Sequence, residues 1–80
     1  MNDVRESIQS FLQKSLKRPP ESASVDLFEG GFVNSLFAMQ LIVFLEKILG
    51  RRIPGREIKR ENMKSVDAMA LWMERLRATG

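Results

Sequence analysis

The segment from Leu36 to Leu49 is the feature that most constrains the fold of this chain. Its only polar residues are Gln40, Glu46 and Lys47, so a helix built from it is apolar on every side. Such a helix must be buried all round or must dock on something. A chain of 80 residues has little material with which to enclose it.

The spacing predicts a helix from about Ser35 to Leu49, ended by Gly50 at a C′ position. On a helical wheel one face is expected to enter the core, and it carries Phe37, Leu41, Phe44, Leu45 and Ile48. Leu36, Met39 and Val43 lie opposite that face, beside Ser35. We expect these three residues to form an exposed apolar strip. The alternative is that the preceding loop covers them.

Three further helical segments and no strands are predicted, so the fold class is all-α. Asp3 and Glu6 form a capping box for the first helix, which Pro19 and Pro20 stop. The apolar face of this helix carries Val4, Ile8, Phe11, Leu12 and Leu16.

The other two segments lie towards the C-terminus. Pro54 and Gly55 permit only a short third turn or helix, which carries Ile58. Ser65 is expected to cap the last helix. One face of that helix carries Val66, Met69, Met73 and Leu76. Residues 1–80 are therefore expected to form one small helical bundle with a short third helix.

The connection from Pro19 to Asn34 is long for a helical domain. It is too apolar to extend into solvent, because it contains Val25, Leu27, Phe28, Phe32 and Val33. We expect it to fold back over the bundle and to bring Gly30 and Gly31 to a sharp turn just before the second helix.

The chain contains no Cys and no His. This excludes disulfides, thiol nucleophiles, thiolate and imidazole metal sites, and the commonest general base. We expect no metal site and no catalytic residue. The N-terminus lacks the pattern of a signal peptide, and the apolar run is shorter than the ~20 residues that span a bilayer. A soluble, cytoplasmic, monomeric domain is expected.

The net charge of +3 is unevenly distributed. Residues 47–64 carry seven basic and two acidic side chains, a local net charge of +5. Such a segment could attract nucleic acid, a membrane surface or an acidic protein. Two functions compatible with these features are a small basic helical nucleic-acid-binding protein and a protein-interaction module of the death-fold or sterile-alpha type.

Ser35 has several possible roles. Asn or Ser at the start of a helix is typical of an N-cap. A nucleophilic serine needs an activating base, yet the chain has no His, and Ala38 occupies the position of the base in a Ser-x-x-Lys motif. A phosphate on the hydroxyl, in contrast, would lie favourably at the positive end of the helix. Ser35 therefore fits a modified residue better than an attacking one.

The run DLFEGGFVNSL, residues 26–36, resembles the acyl and peptidyl carrier proteins, in which a helix begins at an Asp-Ser-Leu or Asn-Ser-Leu signature. The resemblance covers nearly the whole chain, including the Ile53-Pro54 pair and the last helix after Ser65. It implies a four-helix carrier-protein bundle with a long first loop and 4′-phosphopantetheine, donated by coenzyme A, on Ser35. It also implies a non-catalytic carrier on which partner enzymes act.

The resemblance also implies partners and a docking surface. The partners are a phosphopantetheinyl transferase, a loading enzyme, tailoring enzymes and an acyl transferase or synthase, with no nucleic acid or membrane among them. The docking residues beside the arm are Leu36, Met39 and Val43, and the residues at the rim that set partner choice are Gln40, Lys47 and Arg51.

Two departures from the family pattern stand out: Asn34 replaces the commoner Asp before the serine, and the segment after the second helix is basic. The basic segment argues for dedicated partners and against general fatty-acid synthesis. The run NSLFAMQL resembles stand-alone carriers of polyketide and hybrid peptide pathways. Those carriers hold a glyceryl or aminoacyl unit that becomes a methoxymalonyl, hydroxymalonyl or aminomalonyl extender. D-alanyl and aminoacyl carriers are the nearest alternatives.

Overall fold

The structure is a computed structural model that describes residues 2–79. For residues 2 and 3 it describes the backbone but not the side chains. Helix α1 spans Asn2–Ser15, α2 spans Ser35–Leu49, α3 spans Arg60–Met63 and α4 spans Val66–Thr79. The described residues contain no strand, which confirms the predicted all-α class. The predicted capping box of α1 depends on the Asp3 side chain, which lies outside the described part.

Helix α4 lies at the centre of the bundle, where it contacts each of the other three helices. Its N-terminus is capped as predicted, because the Ser65 Oγ accepts a hydrogen bond from the Ala68 N–H at 3.0 Å. The predicted apolar face is buried, and it carries Val66, Met69, Met73 and Leu76. Trp72 is also fully buried and is the largest side chain of the core.

Helices α1 and α2 are joined by aromatic side chains. The Phe11 ring stacks on the Phe44 ring with centroids 4.3 Å apart and on the Phe37 ring with centroids 5.9 Å apart. The rest of the predicted face of α1 also turns inward, since Val4, Ile8 and Leu12 are buried and Leu16 is half-buried. Both helices therefore direct their predicted apolar faces into the same core.

The two ends of α2 are fixed by the residues that the sequence singled out. Asn34 has extended backbone angles, and its Oδ1 accepts a hydrogen bond from the Phe37 N–H at 2.8 Å. At the other end Gly50 has a φ of 82°, and its N–H donates to the Glu46 carbonyl. The left-handed conformation explains the glycine at this position. The predicted bounds of α2 are confirmed.

The long connection between α1 and α2 is anchored by Leu27, which is fully buried. Its N–H donates to the Lys64 carbonyl, and its own carbonyl accepts from the N–H groups of Phe32 and Val33. Gly31, with a φ of 76°, lies in the turn that these bonds close. The connection thus folds back onto the bundle and turns just before α2, as predicted.

The segment between α2 and α4 differs in detail from the expectation. A 3-10 turn at Gly55–Glu57 is followed by α3, and Ile58 lies between the two instead of inside a helix. Side chains attach this segment to α4: the Trp72 Nε1–H donates to a Glu57 carboxylate oxygen at 3.2 Å, and the Arg75 guanidinium donates to the Asn62 Oδ1 at 3.0 Å. Ile58 closes the 3-10 turn, since its N–H donates to the Gly55 carbonyl. The predicted short turn that carries Ile58 is therefore present, and α3 lies further along the chain.

The two faces of α2 should respond differently to truncation. Leu41 and Leu45 are fully buried, so Leu41→Ala or Leu45→Ala should lower the free energy of unfolding by about 2–5 kcal/mol through lost packing and a residual cavity. Met39→Ala and Val43→Ala, on the exposed face, should each change it by less than about 0.5 kcal/mol. Urea unfolding of the four variants measures the difference, and equal losses on both faces would contradict the structure.

Candidate functional site

Two adjacent residues at the N-terminus of α2, Asn34 and Ser35, differ in their contacts. Asn34 is the N-cap, because its side chain holds the Phe37 N–H. Ser35 is the first residue of the helix. Its side chain is exposed, and no hydrogen bond joins its hydroxyl to another described residue. The Ser35 hydroxyl is therefore not used to stabilise the fold and is open to a reagent from solution.

The apolar strip of Leu36, Met39 and Val43 lies beside this hydroxyl and is open to solvent. The exposed fractions of the three residues are 71%, 70% and 55% respectively. The alternative that the long loop covers the strip is wrong, since that loop instead buries its own apolar side chains, Leu27 and Val33, in the core. The site thus combines a free hydroxyl with an uncovered apolar surface.

The three residues expected at the rim of this surface lie in different environments. Gln40 and Lys47 are exposed on α2 and line a shallow depression together with Val43. Arg51 follows the helix, and its guanidinium donates a hydrogen bond of 2.6 Å to the Leu76 carbonyl. This bond satisfies one of the carbonyls at the C-terminal end of α4 and holds the Arg51 side chain against the bundle.

The sequence analysis did not identify a second apolar wall close to the strip. Ile53 and Ile58 face Met39 and Val43 across a groove between α2 and the segment that follows it. Neither isoleucine belongs to a helical pattern, which is why periodicity did not reveal them. The sequence signal that could have revealed this wall is the presence of two isoleucines within a segment that is otherwise strongly basic.

The described residues contain no group of three acidic side chains placed to hold a metal ion, and none of the helices they form is both long and apolar enough to cross a membrane. The chain has no His, the commonest general base, to activate the Ser35 hydroxyl.

Comparison with known proteins does not assign the chain to a family. A scan of the chain against protein-family models finds no match, and a search of curated proteins finds none either.

Proposed function

We propose that the protein is an acyl carrier, which holds an acyl or aminoacyl group as a thioester on a 4′-phosphopantetheine arm attached to Ser35. The observation that carries the proposal is the division of roles at the start of α2. Asn34 supplies the cap, and the adjacent Ser35 hydroxyl is exposed, unbonded and next to an uncovered apolar strip. A serine that served only the fold would occupy the capping position itself.

The helix terminus supports a phosphate ester at this position. The first N–H groups of α2 have no partner within the helix, and the helix dipole places partial positive charge there. In the transfer, the Ser35 oxygen would bond to a phosphorus of coenzyme A while the pyrophosphate bond breaks and adenosine bisphosphate leaves. The transferase would take the hydroxyl proton. The product phosphate would lie where an anion is favoured.

The chemistry that follows belongs to the arm and to the partner enzymes. A thioester on a flexible pantetheine thiol is activated for acyl transfer, and the carrier contributes positioning and a high effective concentration. The basic segment and the NSLFAMQL run favour a dedicated pathway over general fatty-acid synthesis. We place the protein in the supply of unusual extender units for polyketide or hybrid peptide–polyketide biosynthesis, with a loading enzyme, tailoring enzymes and an acyl transferase or synthase as its partners.

Replacement of the serine tests the attachment site. The Ser35→Ala variant should gain no mass after incubation with coenzyme A and a broad-specificity phosphopantetheinyl transferase, whereas the natural chain should gain one arm. Because Asn34 is the cap, the variant should lose much less stability than the ~0.5–2 kcal/mol of a missing N-cap. Intact-mass spectrometry and a thermal melt measure both effects.

The matched control is Ser10→Ala, which removes an exposed serine from α1 and should leave the modification unchanged. Modification of Ser35→Ala at another serine would show that the assigned site is wrong. Unfolding of the Ser35→Ala variant would show that the Ser35 hydroxyl has a structural role.

Truncation of the apolar strip tests its role in docking. Met39→Ala and Val43→Ala should slow loading of the pantetheinylated chain by its cognate enzyme by about tenfold, because a few apolar anchors carry most of the affinity in an interface. The control is Leu71→Ala on α4, where a leucine is 54% exposed, and it should leave the rate unchanged. Loading rates that are equal in all three variants would contradict a docking role for the strip.

A further inference from the structure

The groove between α2 and the segment that follows it is concave and mostly apolar. Met39, Ile42 and Val43 line one side and Ile53 and Ile58 line the other, around a volume of about 490 Å³. Ile58 is itself exposed, so the groove has an uncovered apolar side chain on each side. A concave apolar surface of this kind fits a protruding apolar ridge.

Arg52 lines the groove, and Arg56 and Lys59 adjoin the groove residues Gly55 and Ile58 in sequence. Arg56 and Lys59 are exposed on the same segment as Ile58, and no hydrogen bond or ion pair joins their side chains to another described residue. The Arg52 side chain is 95% exposed, and its Nε lies 3.7 Å from the Glu46 carboxylate. An exposed pair at this distance leaves the guanidinium largely available.

The carboxylates near the groove accept hydrogen bonds from other groups of the protein. The Glu46 side chain is 23% exposed and accepts a hydrogen bond of 2.8 Å from the Ile53 N–H. The Glu57 carboxylate accepts the Trp72 Nε1–H. Among residues 47–64 only Glu61 presents an exposed carboxylate. The segment after α2, which forms one side of the groove, therefore has an excess of positive charge.

We propose that this groove binds a partner protein whose contacting face is an apolar ridge bordered by carboxylates. Only an acidic border matches the free cations at the rim. The inference rests on the proposed function only in identifying the partner as an enzyme that acts on the arm. Such an enzyme would meet Met39 and Val43, beside Ser35, with its apolar ridge and would meet Arg56 and Lys59 with its acidic side chains.

Two other anionic ligands fit the groove less well. A nucleic acid would leave the apolar walls unused, and the helical pieces that carry the cations, Gly55–Glu57 and Arg60–Met63, are too short to lie along a duplex groove. A lipid surface accepts apolar side chains that protrude from a protein, whereas the walls here enclose a concave groove. An acidic protein ridge satisfies both the shape and the charge.

The charge preference can be measured with a defined probe on the full chain. The probe is a stapled helical peptide of roughly 15 residues with leucines on one face, bordered by glutamates. The matched peptide carries lysines in place of the glutamates. In NMR titrations the acidic peptide should bind at least about tenfold more tightly, should shift the amide signals of Val43 and Ile58, and should weaken as salt is added.

Charge reversal at the rim provides the decisive variants. The double substitution Arg56→Glu with Lys59→Glu lowers the net charge of residues 47–64 from +5 to about +1 and should remove most of the preference for the acidic peptide. The control, Lys17→Glu with Arg18→Glu after α1, changes the net charge equally and should preserve the preference for the acidic peptide. Equal binding of the two peptides by the natural chain, or an equal effect of the two double substitutions, would overturn the proposal.

Two further probes test the class of partner. A random-sequence DNA duplex and vesicles of phosphatidylserine and phosphatidylcholine should bind more weakly than the acidic peptide, and tighter binding of either would overturn the proposal. Failure of the proposal is distinguishable from failure of the carrier function. A chain that is pantetheinylated at Ser35 but shows no charge preference refutes only the acidic partner, whereas the preference without pantetheinylation refutes only the carrier.

Discussion

The small size of the domain is the constraint on which the rest of the structure depends. Helix α2 is apolar on all sides, but 80 residues supply too little material to enclose it. The core therefore covers the side with Leu41 and Leu45, and the side with Met39 and Val43 remains in water. Burial of the first face stabilises the fold, whereas the second face contributes little to stability. An uncovered apolar surface of this kind is typical of a binding surface.

The loop before α2 determines what lies next to that surface. Leu27 is buried, and its backbone bonds to Lys64, Phe32 and Val33 fix the path of the chain as it enters the helix. The path ends in Asn34, whose side chain completes the cap. The hydroxyl that follows is thereby held at a defined place, on a rigid element, without a bond of its own. In the proposed carrier function, attachment of a long flexible arm at this rigid point would suit delivery of one cargo to several partners in turn.

Much of this fold could be predicted from the sequence because local signals agree with the tertiary packing. The bounds of α2 follow from Asn34 and Gly50, and the uncovered strip follows from the size of the chain. The contacts that sequence reasoning missed join residues far apart, such as Arg51 with the Leu76 carbonyl and Trp72 with Glu57. Pairing of this kind depends on the relative placement of elements, which periodicity along one segment does not encode. The apolar wall at Ile58 was missed for the same reason.

The most direct test of the central claim is the covalent state of Ser35 in protein purified from the cells that naturally make it. Fragmentation mass spectrometry of the intact chain reports both the presence of an arm and the residue that bears it. The carrier assignment predicts one phosphopantetheine per chain, joined to Ser35 through a phosphodiester, with part of the population carrying an acyl group on the thiol. A chain that is unmodified at Ser35 in those cells would contradict it.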